Sequence, residues 1–143
     1  MKMFEDLQLG QSAQTVKTIT ADNVRAFAEV SGDHNPVHLD PEHAAKTMFK
    51  VCIVHGGLMG SLISGLVSKE LPGSIVRSME LDFLRPVPVG STVTSQFEIV
   101  ELEPRRGFVT LACASIVNGK KAIKGQVKIL VLKRESKAEE KIE

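Results

Sequence analysis

The chain has 143 residues, 43% of them hydrophobic and 24% charged, a length and balance that support one sizeable core and not two. Its 18 Lys and Arg stand against 17 Asp and Glu, a formal net charge of +1 that excludes nucleic-acid binding through a broad basic face. With no Trp or Tyr there is no aromatic platform for stacking bases either.

In chain order, the opening "FEDLQLGQS" reads as a loop, and "QTVKTI" alternates as an edge strand does. Thr20 caps a helix predicted from Ala21 to about Val30, with Asp22 near its positive end and Val24, Phe27, Ala28 and Val30 on its apolar face. Gly32 closes that helix in the left-handed conformation. Asp40-Pro41 opens a second, short helix, Asp at the cap and Pro in the first turn. From Gly56 to about Lys69 the pattern is apolar or small on nearly every side, which predicts a helix buried all round, and Pro72-Gly73 stops it.

After residue 73 the period becomes two. "SIVRSMELDFLRPV" is a strand ended by Pro86 and Pro88, and "STVTSQFEIVELE" sets Val93, Phe97 and Ile99 against Thr92, Thr94, Gln96 and Glu98. "GFVTLACASIV" and "KAIKGQVKILVL" flank Asn118-Gly119, a two-residue hairpin signal. One long buried helix followed by three or four antiparallel strands predicts an α+β fold in which the sheet curls around the helix, since no second helical layer remains to cover it. Residues 1–133 read as one domain and 134–143, "RESKAEEKIE", as a charged, solvated tail. Cys52 and Cys113 read as buried free thiols of a reducing compartment. No signal-peptide core opens the chain, and the longest apolar stretch is broken by His55, glycines and serines, so the expectation is a cytoplasmic protein without a membrane segment.

The chemistry concentrates in "SGDHNPVHLD". Pro36 pushes Asn35 out of the α region, which predicts a non-helical turn able to aim Asp33 and His38 into one space. A carboxylate and an imidazole converging there hold a water between them, one group taking its proton. Asn35 is a candidate orienting partner, and Asp40 is spent as a helix cap. The bland alternative, a polar loop after a helix, stays open on these ten residues alone, and His34 and His43 read as exposed polar groups. A second feature is "VHGG": His55 precedes Gly56 and Gly57, which put backbone N–H groups without side chains at a helix start, suited to a developing negative oxygen. Tight packing of the helix start is the alternative. No H-x-x-x-H on a helix and no cysteine pair supports a metal site, and no cofactor is called for.

Together, "FAEVSGDHNPVHLDPEHAAKT", "VCIVHGGLMGSLISGLVSKELPG" and "LDFLRPVPVGSTVT" resemble the MaoC-like dehydratases, and among them the (R)-specific enoyl-CoA hydratases, over about residues 4–132. The resemblance implies the hot-dog fold, an antiparallel sheet wrapped around a central helix, as a homodimer. It implies addition of water to trans-2-enoyl thioesters of coenzyme A or acyl carrier protein, giving (R)-3-hydroxyacyl thioesters in fatty-acid metabolism. By the same resemblance Asp33 and His38 are the catalytic pair and Gly56 supplies the N–H that polarises the thioester carbonyl. Asn35, His55, Gly57 and Ser64 are then substrate-side residues. His34 stands where the hydratase pattern usually has an aromatic or a small polar residue. A hot-dog thioesterase, a 3-hydroxyacyl-[acyl-carrier-protein] dehydratase and a non-catalytic acyl-thioester-binding module are the alternatives. A thioesterase often needs only a lone acid on the helix, whereas here Asp and His both precede it.

Overall fold

The computed structural model describes residues 2–134. A 3₁₀ turn (Phe4–Asp6) leads into strand β1 (Ser12–Thr18) and helix α1 (Ala21–Ser31). Two short helices follow, α2 (Pro36–Leu39) and α3 (Pro41–Ala45), then the long helix α4 (Gly56–Glu70). Strands β2 (Ile75–Phe83), β3 (Thr92–Glu103), β4 (Phe108–Val117) and β5 (Lys120–Leu130) complete the chain. The strands pair antiparallel in the order β1-β3-β4-β5-β2, so β1 and β2 are the edges, as expected for β1.

The period-two pattern puts Val93, Ser95, Phe97 and Ile99 of β3 inside, with Val109, Leu111 and Cys113 of β4 and Ile123, Val127 and Ile129 of β5. Asn118 and Gly119 turn the β4–β5 hairpin with φ of 51° and 75°, the left-handed pair that matches strand twist. Register shifts between Val76 and Ser78, Ile99 and Glu101, and Ser115 and Ile116 bend the strands and raise their twist. That bending lets one sheet curl over α4, which buries Met59, Ile63, Leu66 and Val67 against it. Each such side chain contributes about 1.5–3 kcal/mol when fully buried.

Several expectations are corrected. Helix α4 is not covered on every side: Gly57, Ser61, Gly65 and Ser68 form an exposed stripe, because the sheet of a single chain reaches only the opposite face. Val30 leaves the apolar face of α1 and is 88% exposed, since it stands about 240° around the helix from Val24. Pro36 does not exclude helix. It takes the first position of α2, where its missing N–H costs nothing, while Asn35 keeps the extended conformation Pro imposes, with φ −55° and ψ 126°. Cys113 is buried but Cys52 only half-buried, and both are free thiols. Arg134, expected within the solvated tail, donates to both carboxylate oxygens of Asp6 at 2.8 Å. The rest of that tail lies outside the described residues. Among the described residues no helix is long and apolar enough to cross a membrane.

Candidate active site

A chain of local hydrogen bonds shapes the turn after α1. Thr20 and Asn23 cap the start of α1 reciprocally, each side chain accepting from the other's backbone N–H. Gly32 ends it with φ 78° and donates to the Ala28 carbonyl. The Ser31 hydroxyl donates to the Phe27 carbonyl at 2.7 Å and accepts from the Asp33 N–H at 3.1 Å. Asp33 Oδ1 accepts from the Asn35 N–H, which leaves Oδ2 for other work. The Asn35 side chain caps α2 by accepting from the Val37 N–H, and Asp40 caps α3 by accepting from Glu42 and His43. Asn35 therefore orients Asp33 through its backbone, and His38 through the helical turn that its side chain caps.

His38 rides on α2 with its side chain 11% exposed, and its Nδ1 faces the Ile53 carbonyl at 2.7 Å. A carbonyl only accepts, so Nδ1 carries the proton and, in the neutral ring, Nε2 carries the lone pair. Nε2 stands 3.9 Å from Asp33 Oδ2, too long for a direct hydrogen bond. A single water oxygen at about 2.8 Å from each bridges such a gap. Asp33 itself is half exposed, so the gap opens toward solvent.

His55, the residue before α4, lies beneath this pair at 1% exposure. Its ring stacks on His38 with centroids 3.9 Å apart and planes 29° from parallel, and meets Phe27 at 4.8 Å. Its Nε2 donates to the Asp33 carbonyl at 3.0 Å, while Nδ1 is buried without a partner. Asp33, His38 and His55 thus bring one metal-capable atom each within 4.8 Å of one another, a cluster the sequence spacing did not foretell. The donor types suit a transition metal. The geometry suits one poorly: in-plane lone pairs of two near-parallel rings run side by side and do not meet at a point.

The first N–H groups of α4 have no helical acceptor, and no side chain caps them. A side chain at Gly56 would start 3.1 Å from the Phe83 ring, and one at Gly57 would start 3.0 Å from Phe27. The paired glycines thus serve close packing as well as leaving backbone donors bare. Ser64 is half-buried eight residues along α4, roughly 12 Å from Gly56, and does not join the cluster. His34 and His43 are exposed, His34 lying 3.3 Å from Glu29. Burial and then the Asp40 carboxylate push the Cys52 thiol up, so the sulfur beside Ile53 is no ready thiolate nucleophile. Sequence reasoning missed Phe83 against Gly56, and the Ile53 and Asp33 carbonyls that hold the two imidazoles. No residue type signals a backbone carbonyl, but Phe83 falls at a strand end just before the Pro86 and Pro88 stop, a position that could have been weighed.

Comparison with known proteins accords with this geometry. The family model "MaoC like domain" matches residues 6–128. An (R)-specific enoyl-CoA hydratase of Rhodospirillum rubrum is 38% identical over 130 residues, covering 90% of each chain. Another from Aeromonas caviae is 43% identical over 117 residues, covering 80% of this chain and 87% of that one. The solved R-hydratase of Pseudomonas aeruginosa in its unliganded form superposes with a TM-score of 0.87 at 36% identity, covering 92% of this chain and 86% of the other. The wrapped sheet is thus the hot-dog fold, and the chain belongs to the MaoC-like family.

Proposed function

We propose that this protein adds water to trans-2-enoyl thioesters to give (R)-3-hydroxyacyl thioesters, and runs the dehydration in reverse. The observation that carries the reading is the bare His38 Nε2 facing Asp33 Oδ2 across 3.9 Å. That pair adjoins, through His55, the start of α4, whose first N–H groups no side chain caps. The thioester carbonyl accepts from the Gly56 N–H, which draws electron density from C3. A water held between Asp33 and His38 loses a proton to this pair as its oxygen bonds to C3. The C2–C3 π pair moves toward the carbonyl, the enolate oxygen is steadied by the helix-start N–H, and the proton is returned to C2. Hydroxide and proton add across one double bond, so atoms balance without a cofactor.

Purified protein with crotonyl-CoA tests this. Hydration removes the conjugated thioester absorbance without free thiol. Thiol release means a thioesterase, and no change with crotonyl-CoA or crotonyl-acyl carrier protein means a binding module. Turnover of the carrier-protein substrate alone assigns the dehydratase of fatty-acid synthesis.

The working unit is a homodimer. β2 is an edge strand whose surroundings leave Ile75, Phe83 and Leu84 at 56%, 56% and 47% exposure, and Phe83 packs on Gly56. Clefts beside Arg77 and Phe108 on the sheet and between β1 and α4 do not include Asp33, His38 or Gly56. A second copy across the β2 edge or the exposed stripe of α4 supplies the missing wall of an acyl channel and covers the open edge. Light scattering at micromolar concentration should give twice 15.6 kDa. A fully active monomer refutes it. The two free thiols support the reading of a cytoplasmic enzyme, and its recovery with a secreted or membrane fraction would contradict that.

A further inference from the structure

We propose that His55 is a positioning residue for this reaction, holding Asp33 and His38 at their working separation without touching the substrate. The inference rests on the hydratase reading above. His55 is the only buried histidine among the described residues, at 1% exposure. An apolar ring in its place would avoid leaving Nδ1 buried without a partner, which costs stability. The imidazole that occupies this position uses its other nitrogen: Nε2 donates to the Asp33 carbonyl at 3.0 Å.

That bond and the stack act on different members of the pair. The bond holds the Asp33 peptide, whose N–H is already held by Ser31, so both sides of the residue are tied before its carboxylate begins. The stack, at 3.9 Å and 29°, limits tilting of the His38 ring, whose Nδ1 is tied to Ile53. The tilted contact of the His55 ring with Phe27, at 4.8 Å and 58°, ties His55 itself to α1. His55 also caps the start of α4 through its backbone, so one residue links the proton-transfer pair to the N–H that meets the carbonyl. The Asp33–His38 gap is therefore set from below by a side chain that points at neither substrate nor solvent.

Two substitutions separate the contacts. His55→Phe keeps the ring and its stack but removes the donor to Asp33, whereas His55→Gln keeps an N–H at similar reach and removes the ring. Both are compared with Asp33→Asn on crotonyl-CoA after circular dichroism shows a folded chain. A misplacement of about 1 Å costs on the order of 10²-fold, so His55→Phe should lower kcat by roughly that factor with KM within about threefold. His55→Gln should recover kcat to within about tenfold of the parent, because the Asp33 tether survives. In the unaltered protein, imidazole nitrogen NMR should find His55 protonated on Nε2 and His38 on Nδ1, a readout that needs neither variant to fold. Unchanged kcat in His55→Phe, a rise confined to KM, or a His55 proton on Nδ1 each overturns the inference. If Asp33→Asn is inactive while His55→Phe is normal, only this inference fails. If Asp33→Asn is fully active, the hydratase site itself is misassigned and the inference falls with it.

Discussion

The sheet and the segment from Ser31 to Gly56 are held in place by different forces. Strands β3 to β5 keep their register through alternating side chains that share one core, including Val109, Leu111, Val127 and Ile129 at 0% exposure. In residues 31–56 only Ala44, Val54 and His55 are buried, and the path is set by caps, backbone bonds and two prolines. The Val37 carbonyl accepts from Ile53, and Val87 accepts from Val54, strapping this segment between the helices and the sheet. Chemistry needs groups that face a substrate, so the segment that carries it forgoes the stabilisation of a core. The difference predicts that activity and stability can be broken separately.

The sharpest break is Asp33→Asn. Asparagine keeps an oxygen to accept from the Asn35 N–H, and the position is half exposed, so Tm should barely move. Proton transfer is lost, and kcat should fall by about 10²- to 10⁴-fold, as should that of His38→Ala. A parallel collapse of Tm and turnover would show that the turn is structural after all. The converse is Leu111→Ala in the sheet. Truncating a side chain at 0% exposure should cost about 2–5 kcal/mol by urea denaturation while kcat per folded molecule is retained.

The same contrast governs what the sequence made legible. The strands, the hairpin at Asn118-Gly119 and the wrapped sheet were readable because alternation and turn chemistry are local patterns that the core then enforces. The ends of α1 and the cap at Asp40 were readable because capping is also local. Covering of α4 was not: Gly57, Ser61 and Gly65 are small residues that suit close packing, yet whether anything covers them depends on a surface outside the chain. The convergence of Asp33 and His38 could be inferred from Pro36, although the helical turn beneath His38 could not, since Pro both breaks and begins helices. The stack of His38 on His55 joins residues 17 apart and depends on Ile53 and Asp33 carbonyls, which leave no mark in composition or period.

A smaller effect tests where the helix start meets the sheet. Gly56→Pro removes the proposed carbonyl donor at a position where helices tolerate Pro, and turnover should fall by about 10²- to 10³-fold. Proline also adds atoms toward Phe83, so Gly56→Ala is the control: it meets the same ring but keeps its N–H. The contact is with the tip of the Phe83 ring, at 3.1 Å, and a shift of the side chain by a few tenths of an ångström relieves it, so the Ala variant should keep most of its turnover. Equal losses in both would make Gly56 a packing residue and move the donor elsewhere.

The smallest effect lies where the two ends of the described chain meet. The Asp6 carboxyl is held below the usual carboxylate range by the Met3 N–H and then by the Arg134 guanidinium, and Glu5 is lowered first by the Arg134 N–H. A lowered folded value means that the native state holds the ionised form more strongly than the unfolded chain does. The contribution is therefore present in full above the ordinary carboxylate range, about pH 4, and is lost as pH falls through the lowered value. Both carboxylates lie at the surface, so salt screens the ion pair and the effect on Tm is small. Asp6→Asn should lower Tm slightly at pH 7 and low ionic strength, and less at high salt. The difference between variant and parent should close as pH falls through the lowered value, beyond which Asp6 is protonated in both states. A gap that persists unchanged into acid would place its origin in packing of the Phe4–Asp6 turn and not in the charge on Asp6.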